Sequence, residues 1–308
     1  MTQSPATRVV RNWHCDSRRW DQFEARPGDV MVATFPKCGT TWTQRIVGML
    51  LSQSAEPRPI MREQPWIDAR FVPLDLALPA LAAVPGRRGV KTHLPLDAVP
   101  WRDDIHYIHV ARDPRDAAMS MHNHMTRMKP ELLEMFDAWG LEDPEIARPY
   151  PRMPSDPRAA FHRFLRLPGT GPFDDYGLPE YADIVGSWWA ARSRPNLLQV
   201  HYRDLKANLE GEMRRIADFL GISTPAPLWR EMVKAADFAA MRAQGAELLA
   251  EAGDNWQGGA STFLHRGTNG RWQEILTEAD LAAYEEAASA LMAPDLRAWA
   301  EGGRAASQ

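Results

Sequence analysis

The chain has 308 residues, 44% hydrophobic and 25% charged, which is ordinary for a soluble globular protein and allows one large α/β domain or two small ones. A net charge of −4 argues against a protein built mainly to bind nucleic acid, so any basic cluster is expected to be a local site for a small anion. Cys15 and Cys38 make no disulfide framework, Met1 to Trp20 holds no apolar core of signal-peptide length, and no apolar run reaches the roughly 18 residues of a membrane helix; a cytoplasmic protein without integral membrane association is expected.

Residues 1–28 are polar, with Trp13, Trp20 and Phe23 scattered among arginines, and suggest a helix before the turn Arg26-Pro27-Gly28. Asp29 to Thr34 reads as a short apolar strand, and Trp42, Ile46, Met49 and Leu50 then recur at helical spacing. Residues 53–89 are broken by prolines into short helices and loops. Gly89 to Thr92 reads as a strand ending at His93-Leu94-Pro95, and Ile105 to Ala111 as another. A helix start follows, with Asp113 as N-cap, Pro114 as its first residue and Asp116 in its acidic first turn; Ala117, Met121, Met125 and Met128 form its apolar stripe. Residues 129–179 carry nine prolines in 51 positions, which predicts a long loop or lid-like insert with a short helix around Ala159 to Leu167. Helical character returns from Tyr181 to Arg192, and Leu197 to Tyr202 is a strand candidate. Leu205, Leu209, Met213, Ile216 and Leu220 mark an amphipathic helix with Asp204 as its cap, and helical patterns continue to about Leu249. A Gly-rich stretch, Gly253 to Gly270, precedes a last helix from Thr277, whose Asp280 completes a capping pattern; an Ala- and Gly-rich tail follows Ala293. Strands alternating with helices imply a parallel β-sheet flanked by helices on both faces, with ligands beyond the carboxyl ends of the strands.

The stretch with the most chemistry is Phe35-Pro36-Lys37-Cys38-Gly39-Thr40-Thr41-Trp42. A strand that runs through a tight turn into a helix exposes unpaired N–H groups at the positive end of the helix dipole, an anion site. Lys37 adds a point charge, Gly39 lets the backbone come close to a ligand oxygen, Thr40 and Thr41 offer hydroxyls, and Trp42 offers a flat apolar face. The order is not that of a Walker A loop, G-x-x-x-x-G-K-[ST], because Lys37 precedes Gly39. An ordinary βα turn with a capping Thr would leave the pairing of Lys and Gly unexplained.

The octet resembles the P-K-S-G-T-T-W loop of the sulfotransferase family, which holds the 5′-phosphate end of 3′-phosphoadenosine 5′-phosphosulfate (PAPS); Cys38 stands where that loop has Ser. Three further segments are similar to the family's, in its order. Lys91-Thr92-His93-Leu94-Pro95 looks like the segment that supplies the catalytic His, Arg112 to Ser120 like the one that holds the 3′-phosphate, and His265 to Trp272 like the R-K-G-x-x-G-x-W loop that closes on it. The resemblance runs from about residue 28 to 276. It implies a single P-loop-like domain spanning 1–308 that moves a sulfuryl group from PAPS, in line, to the hydroxyl of a small-molecule alcohol or phenol, releasing 3′-phosphoadenosine 5′-phosphate (PAP), without a metal. It also implies roles: His93 as general base, Lys37 stabilising the leaving phosphate, Lys91 on the transferring group, and Lys37, Cys38, Gly39, Thr40, Thr41 and Trp42 on the 5′ end. Arg112, Ser120, His265, Arg266 and Gly267 are implied on the 3′-phosphate, and Tyr202 and Phe238 on the adenine opposite Trp42. His265 in place of Arg makes that contact charged only when protonated. Trp66, Phe71 and Met121 are the candidates for an apolar acceptor pocket. The dimer segment of related cytosolic enzymes is not recognisable before His265, which leaves the oligomeric state unassigned.

The residues support that chemistry directly: a leaving phosphate needs positive charge, and an acceptor hydroxyl needs a base that titrates near neutral pH. The competing reading is a nucleotide-dependent, kinase-like phosphotransferase, which wants carboxylates for Mg²⁺, yet Asp103 and Asp104 precede the Ile105 strand instead of ending it. A metal-dependent hydrolase is disfavoured because His122 and His124 do not share a helix face, and His106 and His109 point oppositely on a strand. A non-catalytic nucleotide-binding module would have no use for His93.

Overall fold

The structure, a computed structural model, describes residues 3–166, 176–250 and 252–307. Its centre is built from β1 (Val30–Thr34), α1 (Thr40–Ser52), α2 (Leu74–Ala82), β2 (Gly89–Thr92), β3 (His106–Ala111), α3 (Pro114–Thr126), α4 (Pro130–Glu142), α5 (Leu178–Ala190), β4 (Leu197–His201), α6 (Leu209–Leu220) and α7 (Ala226–Ala236). The four strands form one parallel sheet in the order β2-β1-β3-β4. Val30 pairs with both Gly89 and His106, and Ala111 with His201, so the carboxyl ends of all four strands lie along one edge. After β2 the chain crosses to the other side of β1, which makes the gap between β1 and β3 the switch point where such sheets take ligands.

Alternation along β1 explains why the whole strand is apolar. Val30 and Val32 join Ile108, Val110 and Val200 on one face, under Ile46, Ile216 and Met232 from α1, α6 and α7. Met31 and Ala33 join Tyr107 on the other face, under Val185 and Trp188 from α5. Each such fully buried side chain contributes about 1.5–3 kcal/mol, which holds both helical layers to the sheet. The P-loop-like, single-domain α/β architecture expected from the sequence is the one found.

Local expectations fared unevenly. Asp113 caps α3 by accepting from Arg115 N at 2.9 Å, and Thr277 with Asp280 caps the helix Glu278–Leu291. Asp204 does not cap; the expected single helix is two, the first capped by His201 and the second by Asn208, which accepts from Gly211 N at 2.9 Å. The N-terminal helix is only a 3₁₀ turn, Ser17–Gln22, and Trp13 is buried against Tyr150 and Phe136. The tail after Ala293 forms another helix, Pro294–Gly302, which buries Leu296 and Trp299. In the insert, Pro130–Glu142 is not loop but α4, whose Pro130 occupies the first helical turn instead of breaking it, while 143–156 is the expected irregular chain. The short helix is found at Pro157–Phe164, while Leu167 and the insert as far as residue 175 lie outside the described residues.

Candidate active site

The segments that leave the four strands all open into one cavity of about 780 Å³, lined by Lys37 after β1, His93 after β2, Arg112 after β3 and Tyr202 after β4. Sequence-distant loops meet there because the strands are parallel and in register at their carboxyl ends.

His93 is buried, with its ring edge-on to Trp66 at 4.6 Å. Its Nδ1 lies 2.8 Å from the Thr34 carbonyl oxygen and 3.1 Å from Thr34 Oγ1. A carbonyl can only accept, so Nδ1 carries the proton and Nε2 keeps its lone pair. Burial, then the Lys91 charge, holds the imidazole well below its ordinary pKa, so the ring is neutral at neutral pH.

Lys37 sits in the left-handed region at φ 67°, which turns its side chain into the cavity. Its Nζ donates to His124 Nδ1 at 3.3 Å and lies 4.5 Å from the centre of the Phe263 ring. Burial, with Arg112 and Lys91 adding repulsion, lowers its pKa to about 7. Lys91 lies 4.7 Å over Trp66 and is lowered to about 8, chiefly by burial. Lys37 and Lys91, with the guanidinium groups of Arg62, Arg112, Arg266 and Arg271, thus line one space with no carboxylate among its lining residues.

Arg112 ties the two phosphate-loop candidates together: Nη1 donates to Lys37 O at 3.1 Å and Nη2 to Thr268 O at 2.8 Å. Its Cζ lies 4.2 Å from the centre of the Tyr202 ring, and its buried Nε has no hydrogen-bond partner among the described residues. Ser120, Arg266 and Arg271 also line the cavity. His265 does too, and burial, then Arg271 and Arg266, lower its pKa, so Arg266 and Arg271 carry the positive charge of that loop. Trp42 donates from Nε1 to Ala236 O at 2.7 Å and meets Tyr202 at 5.4 Å and Phe238 at 6.1 Å, both edge-on. Thr40 and Thr41 line the cavity, with Thr40 Oγ1 2.7 Å from Thr34 Oγ1. Gly267 packs on Phe238 so closely that a Cβ would fall 2.5 Å from the ring. Trp66, Phe71 and Met121 lie along the cavity wall.

One residue departs from what the sequence suggested, and another has a further role. Cys38 does not line the cavity; its side chain belongs to the buried core, where burial pushes the thiol up to about 12. Gly39 is needed for the approach of a ring: at φ 105° a Cβ there would lie 2.8 Å from Tyr202 Cδ2. Gly39→Ala is therefore expected to destabilise the protein by about 2–5 kcal/mol, the sum of a left-handed backbone penalty and overpacking. A urea titration that finds native stability would show that Tyr202 can move aside.

Three further residues escaped the sequence reading. His124, considered only as a metal ligand, is the partner of Lys37. Asp116, read as a helix-start residue, accepts from Gly270 N at 2.9 Å and Arg271 N at 3.2 Å and so anchors the C-terminal loop to α3. Arg271 was visible in the motif, but its place at the cavity was not. Nothing local marks His124 or Asp116, because their partners lie far along the chain.

A parallel sheet whose carboxyl-end loops gather two lysines, an arginine and a neutral imidazole around one cavity defines a P-loop-like transferase. The family model described as "Sulfotransferase domain" matches residues 27–294. The chain belongs to the sulfotransferase family, the enzyme class that its four loops implied. It is 33% identical to a glycolipid sulfotransferase of Mycobacterium tuberculosis, over 96% of this chain and 94% of that one. It is 25% identical to mouse sulfotransferase 1 family member D1, over 88% and 86% of the two chains. Similar folds include a retinol dehydratase in complex with retinol and PAP (TM-score 0.65, 23% identity, 89% of this chain and 86% of that one). Mouse sulfotransferase SULT7A1 complexed with PAP is another (TM-score 0.66, 18% identity, 95% and 94%). Among the described residues no helix is long and apolar enough to cross a membrane.

Proposed function

We propose that this protein moves the sulfuryl group of PAPS to the hydroxyl of an apolar small-molecule acceptor, with His93 as general base and Lys37 stabilising the leaving phosphate. The observation that carries this reading is the His93 imidazole, neutral and with its proton held on Nδ1 by Thr34 O, in the same cavity as Lys37 and Lys91. The residues present fit PAPS. The buried Nε of Arg112 is without a hydrogen-bond partner among the described residues, and Arg112, Ser120, Arg266 and Arg271 line the same cavity. Gly39 at the N-cap of α1 supplies no side-chain cap, which leaves first-turn N–H groups for the 5′ end. Trp42, Tyr202 and Phe238 offer ring edges and faces to the adenine.

When bound, PAPS supplies a sulfuryl group already activated on a phosphate. The chain's own part is to take the acceptor's proton at His93 Nε2 and to offset the charge left on the phosphate through Lys37. Lys91 holds positive potential beside both. Since these groups supply the charge, we assign no metal to the reaction. The name of the mycobacterial relative, and the retinol of the structural neighbour, agree with an apolar alcohol as acceptor. The buried, unpaired Cys15 and Cys38 support a reducing compartment, the cytoplasm.

PAP release from PAPS in the presence of alcohols and phenols tests the reading, and failure of every hydroxyl acceptor would overturn it. A binding prediction tests the donor end separately. PAP is expected to bind about 10²- to 10⁴-fold more tightly than AMP, because two charge-assisted hydrogen bonds to the 3′-phosphate contribute about 1.5–3 kcal/mol each. Equal affinities by calorimetry would remove the basis for PAPS.

A further inference from the structure

From His93 a continuous row of rings runs out to the surface. Trp66 meets His93 at 4.6 Å, Phe71 meets Trp66 at 5.3 Å, and Trp139 stacks on Phe71 at 6.4 Å with 11° between the planes. Two helices wall this path. On α4, Leu132, Met135, Phe136 and Trp139 line the cavity, the i, i+3, i+4, i+7 spacing of a single helix face. On α2, Leu76, Ala77 and Ala80 line it in the same way. No residue of either helix that lines the cavity is charged; the charges nearest this path are Lys91, over Trp66, and Arg62, which also lines the cavity.

The outer end of the path is uncovered among the described residues. Among the described residues five large apolar side chains are well exposed, and three of them, Leu76 (68%), Met135 (40%) and Trp139 (39%), line this cavity. A compact acceptor would be covered by Trp66 and Phe71 and would leave both helix stripes wet. An apolar rim continuous with a catalytic cavity is the surface that a hydrocarbon chain covers.

We infer that the acceptor is an amphiphile with a long hydrocarbon chain, which lies between α2 and α4 from the hydroxyl at His93 to the rim at Leu76 and Trp139. This rests on the reading of the cavity as an acceptor site and adds the chemical class of the acceptor. The hydroxyl is presented to His93 Nε2, and the chain displaces water from the two stripes.

The test is binding of straight-chain primary alcohols, butanol to decanol, to the enzyme–PAP complex by calorimetry. Affinity is expected to rise about two- to fourfold per methylene, approaching the value for full burial of a CH₂. In the double variant Leu76→Glu/Trp139→Glu the rise is expected to flatten for the longer members, with PAP affinity as the check on folding. An affinity independent of chain length, or an unchanged rise in the variant, would overturn the inference. The same alcohols with PAPS separate it from the proposed function. Length-dependent binding without PAP release supports the groove and counts against hydroxyl transfer. Release with short alcohols, but no gain with length, supports transfer and rejects the groove.

Discussion

His93→Ala is expected to lower kcat by about 10²- to 10⁴-fold, the usual contribution of a positioned acid–base group, while PAP affinity stays nearly native. The two readouts separate because His93 is held by Thr34 through Nδ1 and packs on Trp66, on the acceptor side of the cavity. The pH dependence has a definite sign. The neutral ring is the active form, so activity is present above its pKa and lost as pH falls through it. Burial and Lys91 depress that pKa, so the acidic limb of kcat/KM should lie below the ordinary imidazole range. In kcat the limb should move upward, because the anionic nucleotide favours the protonated ring, and the alanine variant should lack it. Normal turnover by His93→Ala would make the histidine structural and the mechanism wrong.

The second large effect is expected at Lys37. Lys37→Met should weaken PAP binding and also lower kcat by about 10²- to 10³-fold, the loss typical of one preorganised charge-stabilising group. Here the charged form is the active one. With a pKa near 7 in the free protein, kcat/KM for PAPS should fall as pH rises through about 7, and that limb should vanish in Lys37→Met. A bound phosphate favours the ammonium, so the limb in kcat should sit at higher pH. Lys91, lowered to about 8, sets a further limb that the variant retains, which separates the two lysines. If kcat/KM for PAPS keeps its native alkaline limb in Lys37→Met, the charge on Lys37 does not capture the nucleotide.

Much of this was legible because its signals are local. A β-branched run, a tight turn with Lys and Gly, and an Asp-Pro helix start each depend on a few neighbouring residues. Proline counting misled in the insert, because Pro130 fits the first turn of a helix, and the stripe that fixes α4 is apolar only toward a cavity formed by other segments. The helix Pro294–Gly302 escaped for a similar reason: its Ala and Gly content is bland until Trp299 finds its place beside Trp189, 5.3 Å away.

By itself, the order of residues determined the parallel α/β framework, the candidate anion loop at Lys37 and Gly39, and the four segments that resemble the family's. Tertiary structure alone decided how the candidate atoms are placed. Whether Cys38 faces ligand or core depends on the sheet face it packs against, and Gly39 is required by the ring of Tyr202 from the end of β4. The tautomer of His93 follows from a carbonyl on the neighbouring strand, and Lys37 finds His124 on α3. Capping and periodicity act over a few residues and can be read along the chain. Proton placement, pKa and groove shape come from groups distant in sequence that the parallel sheet brings to one edge.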